Sequence, residues 1–261
     1  MREAWGEKAD NFLIRGTPHN RGTLLKSLIE SGAQTVGDPT QCHAVAIDAR
    51  APKYDGGIVS RLDSVSFGIV VNKEGLRFYD EGEDFWPKRY AIWGRLVAQQ
   101  PDQIAYSIVD SKVKDHFMPS VFPPIEASSL GELATELGIN SSSLINTVQQ
   151  FNQAVQKGNY DSSKLDGKQT LGLSPDKTNW ALTLDSPPFL AYPLKPGITF
   201  TYLGLKINEQ AQVLNQNNTP FDNVTAAGEI MAGNVLGEGY CAGTGMTIGG
   251  VFGRIAGNIS P

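Results

Sequence analysis

Cysteine is nearly absent from this sequence: Cys42 and Cys241 are the two in 261 residues. They are too few for a disulfide framework or a four-thiolate metal site. Histidine is equally sparse, and His19, His43 and His116 show no metal-ligand spacing, so no metal is expected. No apolar run approaches the ~18 residues that span a bilayer. The opening Met1-Arg2-Glu3-Ala4-Trp5-Gly6 has no apolar stretch of the kind a secretory signal needs, which predicts a cytoplasmic protein. Positive charge is in deficit: 22 Lys and Arg stand against 27 Asp and Glu, a net charge of −5. A nucleic-acid binder would show the opposite balance, so nucleic acid is not expected as a partner. Neither a Gly-Lys-Ser/Thr phosphate loop nor a Gly-x-Gly-x-x-Gly turn in a strand–turn–helix context occurs.

What is abundant is glycine, 28 residues, with 15 prolines and 40% hydrophobic residues. This is the composition of a turn-rich globular chain long enough for one large or two modest domains. Apolar periodicity predicts a helix from Thr23 to Gly32, with Thr23 as its cap, and a strand Cys42–Asp48. A loop through Pro52, Gly56 and Gly57 follows. Phe67–Val71 and Leu76–Tyr79, joined by Asn72-Lys73-Glu74-Gly75, read as a β-hairpin. Phe85–Gln99 reads as one helix with Tyr90, Trp93, Leu96 and Val97 on a face, and Gln103–Val109 as a strand. Two capped helices come next. One starts at Ser128 or Ser129 and buries Leu130, Leu133, Ala134 and Leu137; the other starts at Asn140 and buries Leu144, Val148, Phe151 and Val155. The polar stretch Lys157–Asn179 reads as a surface loop. Phe189–Leu194, Ile198–Ile207, Val213-Leu214 and Asn223–Ala226 have strand composition. Met246–Ile255 reads as a terminal helix.

The tail concentrates the glycines: Ala227-Gly228-Glu229, then Gly237-Glu238-Gly239-Tyr240-Cys241-Ala242-Gly243-Thr244-Gly245-Met246-Thr247-Ile248-Gly249-Gly250. Glycine allows close approach of backbone to a ligand, and a helix opening at Thr244 presents N–H groups to an anion or a carbonyl oxygen. The same glycines would equally serve close packing of a helix on a sheet.

Taken together, several segments resemble one family. Asn72-Lys73-Glu74-Gly75-Leu76-Arg77-Phe78-Tyr79-Asp80-Glu81 resembles the Asn-x-x-Gly-x-Arg-Phe-x-(Asn/Asp)-Glu hairpin of the fumarate reductase/succinate dehydrogenase flavoproteins. The Ala-Gly-Glu at Ala227-Gly228-Glu229 and the closing Phe252-Gly253-Arg254-Ile255-Ala256-Gly257 are similar to that superfamily's C-terminal flavin-binding segment. With Arg15-Gly16-Thr17 and Cys42-His43-Ala44-Val45-Ala46 included, the pattern is most similar to tricarballylate dehydrogenase and its FAD-dependent relatives.

The resemblance implies an α+β protein: a capping domain of the fumarate reductase flavoprotein type over residues 44–200, plus an incomplete α/β, Rossmann-like FAD-binding domain made of residues 1–43 and 201–261. It implies that the chain is the C-terminal part of such an enzyme, lacking the N-terminal Rossmann-type unit, which would be a separate partner, a lost segment or an omitted one. The implied activity is hydride transfer between FAD and a small organic (poly)carboxylic acid, with an unspecified electron acceptor. The alternative is a truncated remnant or interaction subunit that does not bind FAD alone.

Residue by residue, the resemblance makes Arg89 the proton-transferring arginine and His43 a catalytic and carboxylate-binding histidine. Arg61, Arg77 and Tyr240 join His43 as substrate-binding candidates, with Lys88 a further cation nearby. Glu229 with Gly228 would bond the ribityl chain, and Gly243, Thr244, Gly245, Met246 and Thr247 would face the flavin pyrimidine. Departures are visible too. Phe200 falls near the place of a second histidine, Tyr240-Cys241 replaces a carboxylate-gripping Asn-Arg, and Arg61-Leu62-Asp63-Ser64 replaces an acid-x-x-Arg relay.

Overall fold

One strand organises the molecule. In the computed structural model, which describes residues 1–55 and 60–258, Phe189–Thr201 runs unbroken for 13 residues. The sequence expectation divides it, because Lys195-Pro196-Gly197 looks like a break. The strand continues because Gly197 leaves room for a neighbour: a Cβ there would lie 2.1 Å from Ile47 Cδ1.

In chain order the elements are α1 (Arg2–Trp5), β1 (Leu13–Ile14), α2 (Thr23–Glu30), β2 (Thr35–Val36), β3 (Cys42–Asp48), β4 (Ile69–Asn72), α3 (Trp86–Arg89), α4 (Trp93–Ala98), β5 (Ala105–Asp110), β6 (Ile125–Ala127), α5 (Leu130–Leu137), α6 (Ser141–Ala154), β7 (Phe189–Thr201), β8 (Gly204–Leu205), β9 (Gln212–Leu214), β10 (Pro220–Thr225) and α7 (Thr244–Gly257). Along its first half β7 pairs antiparallel with β5 and β6; along its second it pairs antiparallel with β3 and parallel with β1. At Leu194 it has Ala105 of β5 and Asp48 of β3 as register partners. β4 extends the sheet beyond β5. Two small two-stranded sheets, β2–β8 and β9–β10, stand apart.

One face of the sheet packs on α5 and α6 through Leu133, Leu137, Leu144, Val148 and Phe151. Both helices start where capping chemistry says: Ser129 accepts from Glu132 N, and Asn140 accepts from Ser143 N. Trp93 and Val97 of α4 pack with Ala46, Val70, Ala105 and Leu194 in a second core. A third core gathers Tyr202, Leu205, Val213, Met231, Ala232 and Ile248 around the small sheets, the 3₁₀ segment Gly228–Asn234 and α7.

Four expectations are corrected. The hairpin has one strand, not two: β4 pairs with β5, and Leu76–Tyr79 contributes only the Val71–Arg77 bridge and the Asn72 N–Leu76 O bond of 2.9 Å. The turn is held instead by Asn72 Oδ1, which accepts from Glu74 N and Leu76 N, while Arg77 swings to Glu81. The long helix over 85–99 is α3, a 3₁₀ turn Tyr90–Ile92, and α4. α2 begins after Gly22 in a left-handed conformation, with no side-chain cap from Thr23. The stretch 157–179 is not purely a surface loop, because Thr170, Lys177 and Asn179 are buried. The expected loop positions Gly56 and Gly57 lie outside the described residues. No helix among the described residues is long and apolar enough to cross a membrane.

Candidate functional site

The second half of β7 and its two neighbours bring distant residues together. The β3–β7 register sets His43 opposite Phe200, with an irregularity between His43 and Ala44. On the other side of β7, Arg15 N donates to Ile198 O at 2.8 Å, and the Arg15 guanidinium donates to Thr199 Oγ1 at 3.0 Å. Arg15 and His43 thus flank residues 198–200 from both edges.

His43 is 4% exposed. Its Nε2 lies 3.1 Å from the Tyr90 hydroxyl. Tyr240 leans against the imidazole with ring centroids 4.1 Å apart, and Phe200 and Tyr90 close the other sides at 5.4 Å each. Burial, reinforced by the Arg15 and Arg61 charges, pushes the His43 pKa down to about 3, so the ring is neutral at physiological pH. Its Nδ1 is buried and has no hydrogen-bond partner among the described residues.

Arg61 lies with its guanidinium 5.0 Å from the Tyr90 ring centroid. Asp63 fixes it by two bonds of 2.7 and 2.6 Å and also accepts from Trp86 Nε1 at 2.6 Å. Burial raises the Tyr90 pKa, as does nearby Tyr240, while Arg61 and Arg15 pull against it.

The tail is anchored to this cluster. Tyr202 donates to Gly239 O at 3.0 Å, Ala242 N to Pro87 O at 3.0 Å, and Gly245 N to the Tyr240 hydroxyl at 3.0 Å. Gly243, at φ +94°, precedes α7 in a conformation that favours glycine. Not every early N–H of α7 is free: Thr244 N donates to Cys241 O and Gly245 N to Tyr240. Thr247 Oγ1 donates to Gly243 O at 3.1 Å. Beside this helix start is a hollow of about 320 Å³, lined by Val235, Ala242, Thr244, Thr247, Val251 and Phe252 among others. Of the 14 residues of α7 only Ile248 is buried, and Met246 is 86% exposed. Glu229, exposed at the start of the 3₁₀ segment, makes no hydrogen bond or ion pair among the described residues.

Of the residues expected to form the site, His43, Arg61 and Tyr240 converge, and Gly243–Thr247 adjoin them through Tyr240. Arg89 sits in a separate polar group: it pairs with Glu83 at 3.1 Å, Glu83 accepts from Tyr79, and the Arg89 Nε is buried without a partner among the described residues. Arg77 lies apart from the His43 cluster: four of its five N–H donors go to Glu81, Pro175 O and Tyr79 O, and it lies over the Phe151 ring. Sequence reasoning did not assign Arg15, Thr199 or Tyr90 to the site. Arg15 and Thr199 are 184 residues apart, and no local pattern joins them.

The sequence profile of the FAD binding domain family matches residues 1–248, and the chain belongs to that family. It is 27% identical to an NADH:acrylate oxidoreductase of Vibrio harveyi over 97% of this chain and 24% of that protein. It is 29% identical to an NADH:fumarate oxidoreductase of Klebsiella pneumoniae (strain 342) over 95% of this chain and 25% of the relative. The chain thus spans about a quarter of the length of these curated relatives. In fold it is similar to the open conformation of a flavocytochrome c3 fumarate reductase, with a TM-score of 0.65 at 22% identity, over 99% of this chain and 43% of that one. The mixed α/β fold is that of these flavoproteins, and the cofactor of the family is FAD.

The residues here fit such a group. A large isoalloxazine is flat, apolar at its xylene end and rich in acceptors at its pyrimidine end. The hollow beside α7 pairs apolar Val235, Val251 and Phe252 with the hydroxyls of Thr244 and Thr247. A Cβ on Gly237, Gly239, Gly243 or Gly250 would meet nothing within 4 Å, so a ligand can approach the backbone there.

Proposed function

We propose that this chain supplies the substrate-side and ring-side residues of an FAD-dependent oxidoreductase acting on a small organic acid. The observation that carries the reading is the cluster around His43: a neutral, buried imidazole, with the Arg15 and Arg61 charges acting on it, stacked against Tyr240, whose hydroxyl accepts from Gly245 N at the start of α7. Residues 1–43 and 201–261 are the flavin side, and 44–200 the capping side. When bound, FAD supplies hydride transfer at its reactive ring nitrogen. Thr244–Thr247 would hold the pyrimidine edge, and the Glu229 carboxylate would accept from ribityl hydroxyls. His43, Arg61 and Tyr240 would orient the substrate carboxylate.

Arg89 is the proposed proton donor. A guanidinium is a weak acid, and it serves only when fixed and re-protonated through a relay. The Glu83–Tyr79 pair beside it offers one: Tyr79, its pKa pushed up to about 12 by burial and the Glu83 contact, stays protonated and donates to Glu83. The named relatives act on acrylate and fumarate, so those acids are the first substrates to try.

The test loads the protein with FAD, reduces it with dithionite, and follows reoxidation of the flavin band by fumarate or acrylate. Arg89→Ala is expected to retain FAD and slow reoxidation by about a hundredfold or more. Unchanged reoxidation removes Arg89 from the mechanism. Failure of FAD to bind overturns the whole reading.

A further inference from the structure

The Arg15 charge is offset only at a distance, by Asp55 and Asp63, against burial and the like charge of Arg61. Among the described residues no carboxylate lies within ion-pair distance of its guanidinium. Its one side-chain bond is to the neutral Thr199 hydroxyl, and its Nε is buried without a partner. Asp63, the acid nearest in role, is already committed to Arg61 and Trp86. Arg15 is half-buried, and a cation drawn partly out of water without a close counter-ion is unfavourable, as is a buried donor without an acceptor. An anion entering beside it would satisfy both the charge and the Nε donor.

A second orphan lies across the same strand. The His43 Nε2–Tyr90 contact fits either direction; in the tautomer with Tyr90 donating, the neutral ring carries its proton on Nδ1, and that N–H has no acceptor among the described residues. Two unsatisfied donors, one charged and one neutral, therefore flank residues 198–200 of β7. Two donors on either side of one oxyanion are what a carboxylate accepts.

We propose that Arg15 is the anion-binding residue of this pocket: its guanidinium, oriented by Thr199, grips a substrate carboxylate that also accepts from His43 Nδ1–H. Arg61 then has a second duty. Locked by Asp63 and laid over the Tyr90 ring, it holds the Tyr90 hydroxyl toward Nε2 and so fixes the imidazole tautomer. The anion's identity as substrate rests on the functional reading above; the existence of the subsite rests on the two orphans alone.

The test titrates the folded 261-residue chain with sodium succinate at constant ionic strength, following intrinsic Tyr and Trp fluorescence, with neutral succinamide as the control. Succinate is expected to saturate the wild type and to bind about tenfold or more weakly to Arg15→Met. Succinamide is expected to bind neither protein measurably. ¹⁵N NMR of the His43 ring is expected to show a protonated Nδ1 that shifts with succinate in the wild type and not in Arg15→Met. A merely structural Arg15 would not produce that shift.

Succinate binding that is absent from the wild type, or equal in the two proteins, overturns the proposal. If Arg15→Met fails to fold by circular dichroism, Arg15→Lys decides. It keeps the charge but loses the Nε donor, so severalfold weaker binding supports the assignment and equal binding overturns it. Titration with FAD separates the two readings. Weakened succinate with unchanged FAD supports Arg15 as the substrate anchor, whereas weakened FAD with unchanged succinate assigns Arg15 to the flavin and overturns the proposal. A chain that binds no FAD fails the functional reading, and the succinate comparison still decides this one.

Discussion

Lys177 is wholly buried, and its ammonium donates to Ser66 O at 2.8 Å and Gly68 O at 2.7 Å. These bonds clamp the 157–188 segment against the start of β4. Burial pushes its pKa down to about 8 from 10.5. The sign of the pH effect follows. Between pH 8 and 10.5 the unfolded chain keeps this proton and the folded chain does not, so stability from this group rises with pH. Below pH 8 the folded protein bears the buried charge at a cost of about 3 kcal/mol, by the usual conversion of pKa shift to free energy. Lys177→Met removes the titration. The stability of the wild type relative to Lys177→Met is therefore expected to climb by about 3 kcal/mol across that window. Urea unfolding of both proteins from pH 7 to 10.5 measures it, and a flat difference refutes the assignment.

Elements whose residues face a partner nearby in sequence were legible; elements fixed by distant partners were not. β3 alternates little because all seven residues are buried, yet its β-branched and small residues bounded by turns mark it correctly. α5 and α6 show both their caps and their apolar faces. The false second arm of the hairpin failed for a non-local reason: Arg77 is held by Glu81 and by Pro175, 98 residues away. The site divides in the same manner. Of the proposed site, His43 can be named from its motif and Tyr240 from its place in the tail, whereas Arg15 comes near them only after β1 and β3 lie on opposite edges of β7.

Gly94 shows how one residue sets an element's position. α4 crosses β3 so closely that a Cβ on Gly94 would lie 2.6 Å from Val45 O and 2.7 Å from Ala44 C. Ala in place of Gly in a helix ordinarily stabilises by up to about 1 kcal/mol. At Gly94 the sign is expected to reverse, with a loss of about 1–3 kcal/mol, because strand backbone cannot give way as a side chain would. Gly131→Ala in α5, where the nearest atom is Ser141 Oγ at 3.5 Å, is the control expected to hold or gain stability. Thermal melts of the two variants check the contrast; equal shifts refute the close crossing.

Across the whole molecule, apolar burial is uneven. The sheet carries three interleaved strands, β3, β5 and β7, buried along nearly their whole length, with helices packed on it. The third core is smaller, and the helices bordering it bury little: α2 has no buried residue and leaves Leu24 64% exposed, while α7 leaves Met246 and Val251 out. Local stability follows buried apolar contact, so opening should be cheaper at α7, β9 and β10 than at the sheet. Native-state hydrogen exchange is expected to show amides of β3, β5 and β7 exchanging only through global unfolding, and those of α7 through a smaller opening. If FAD seats as proposed against the hollow at Thr244 and Thr247, it is expected to slow exchange in α7 and the Gly237–Gly243 loop while leaving β5 unchanged, because a ligand stabilises the conformations to which it binds. Uniform protection across both regions, or flavin protection that falls on β5 rather than α7, would contradict the proposed placing of the flavin side at residues 201–261.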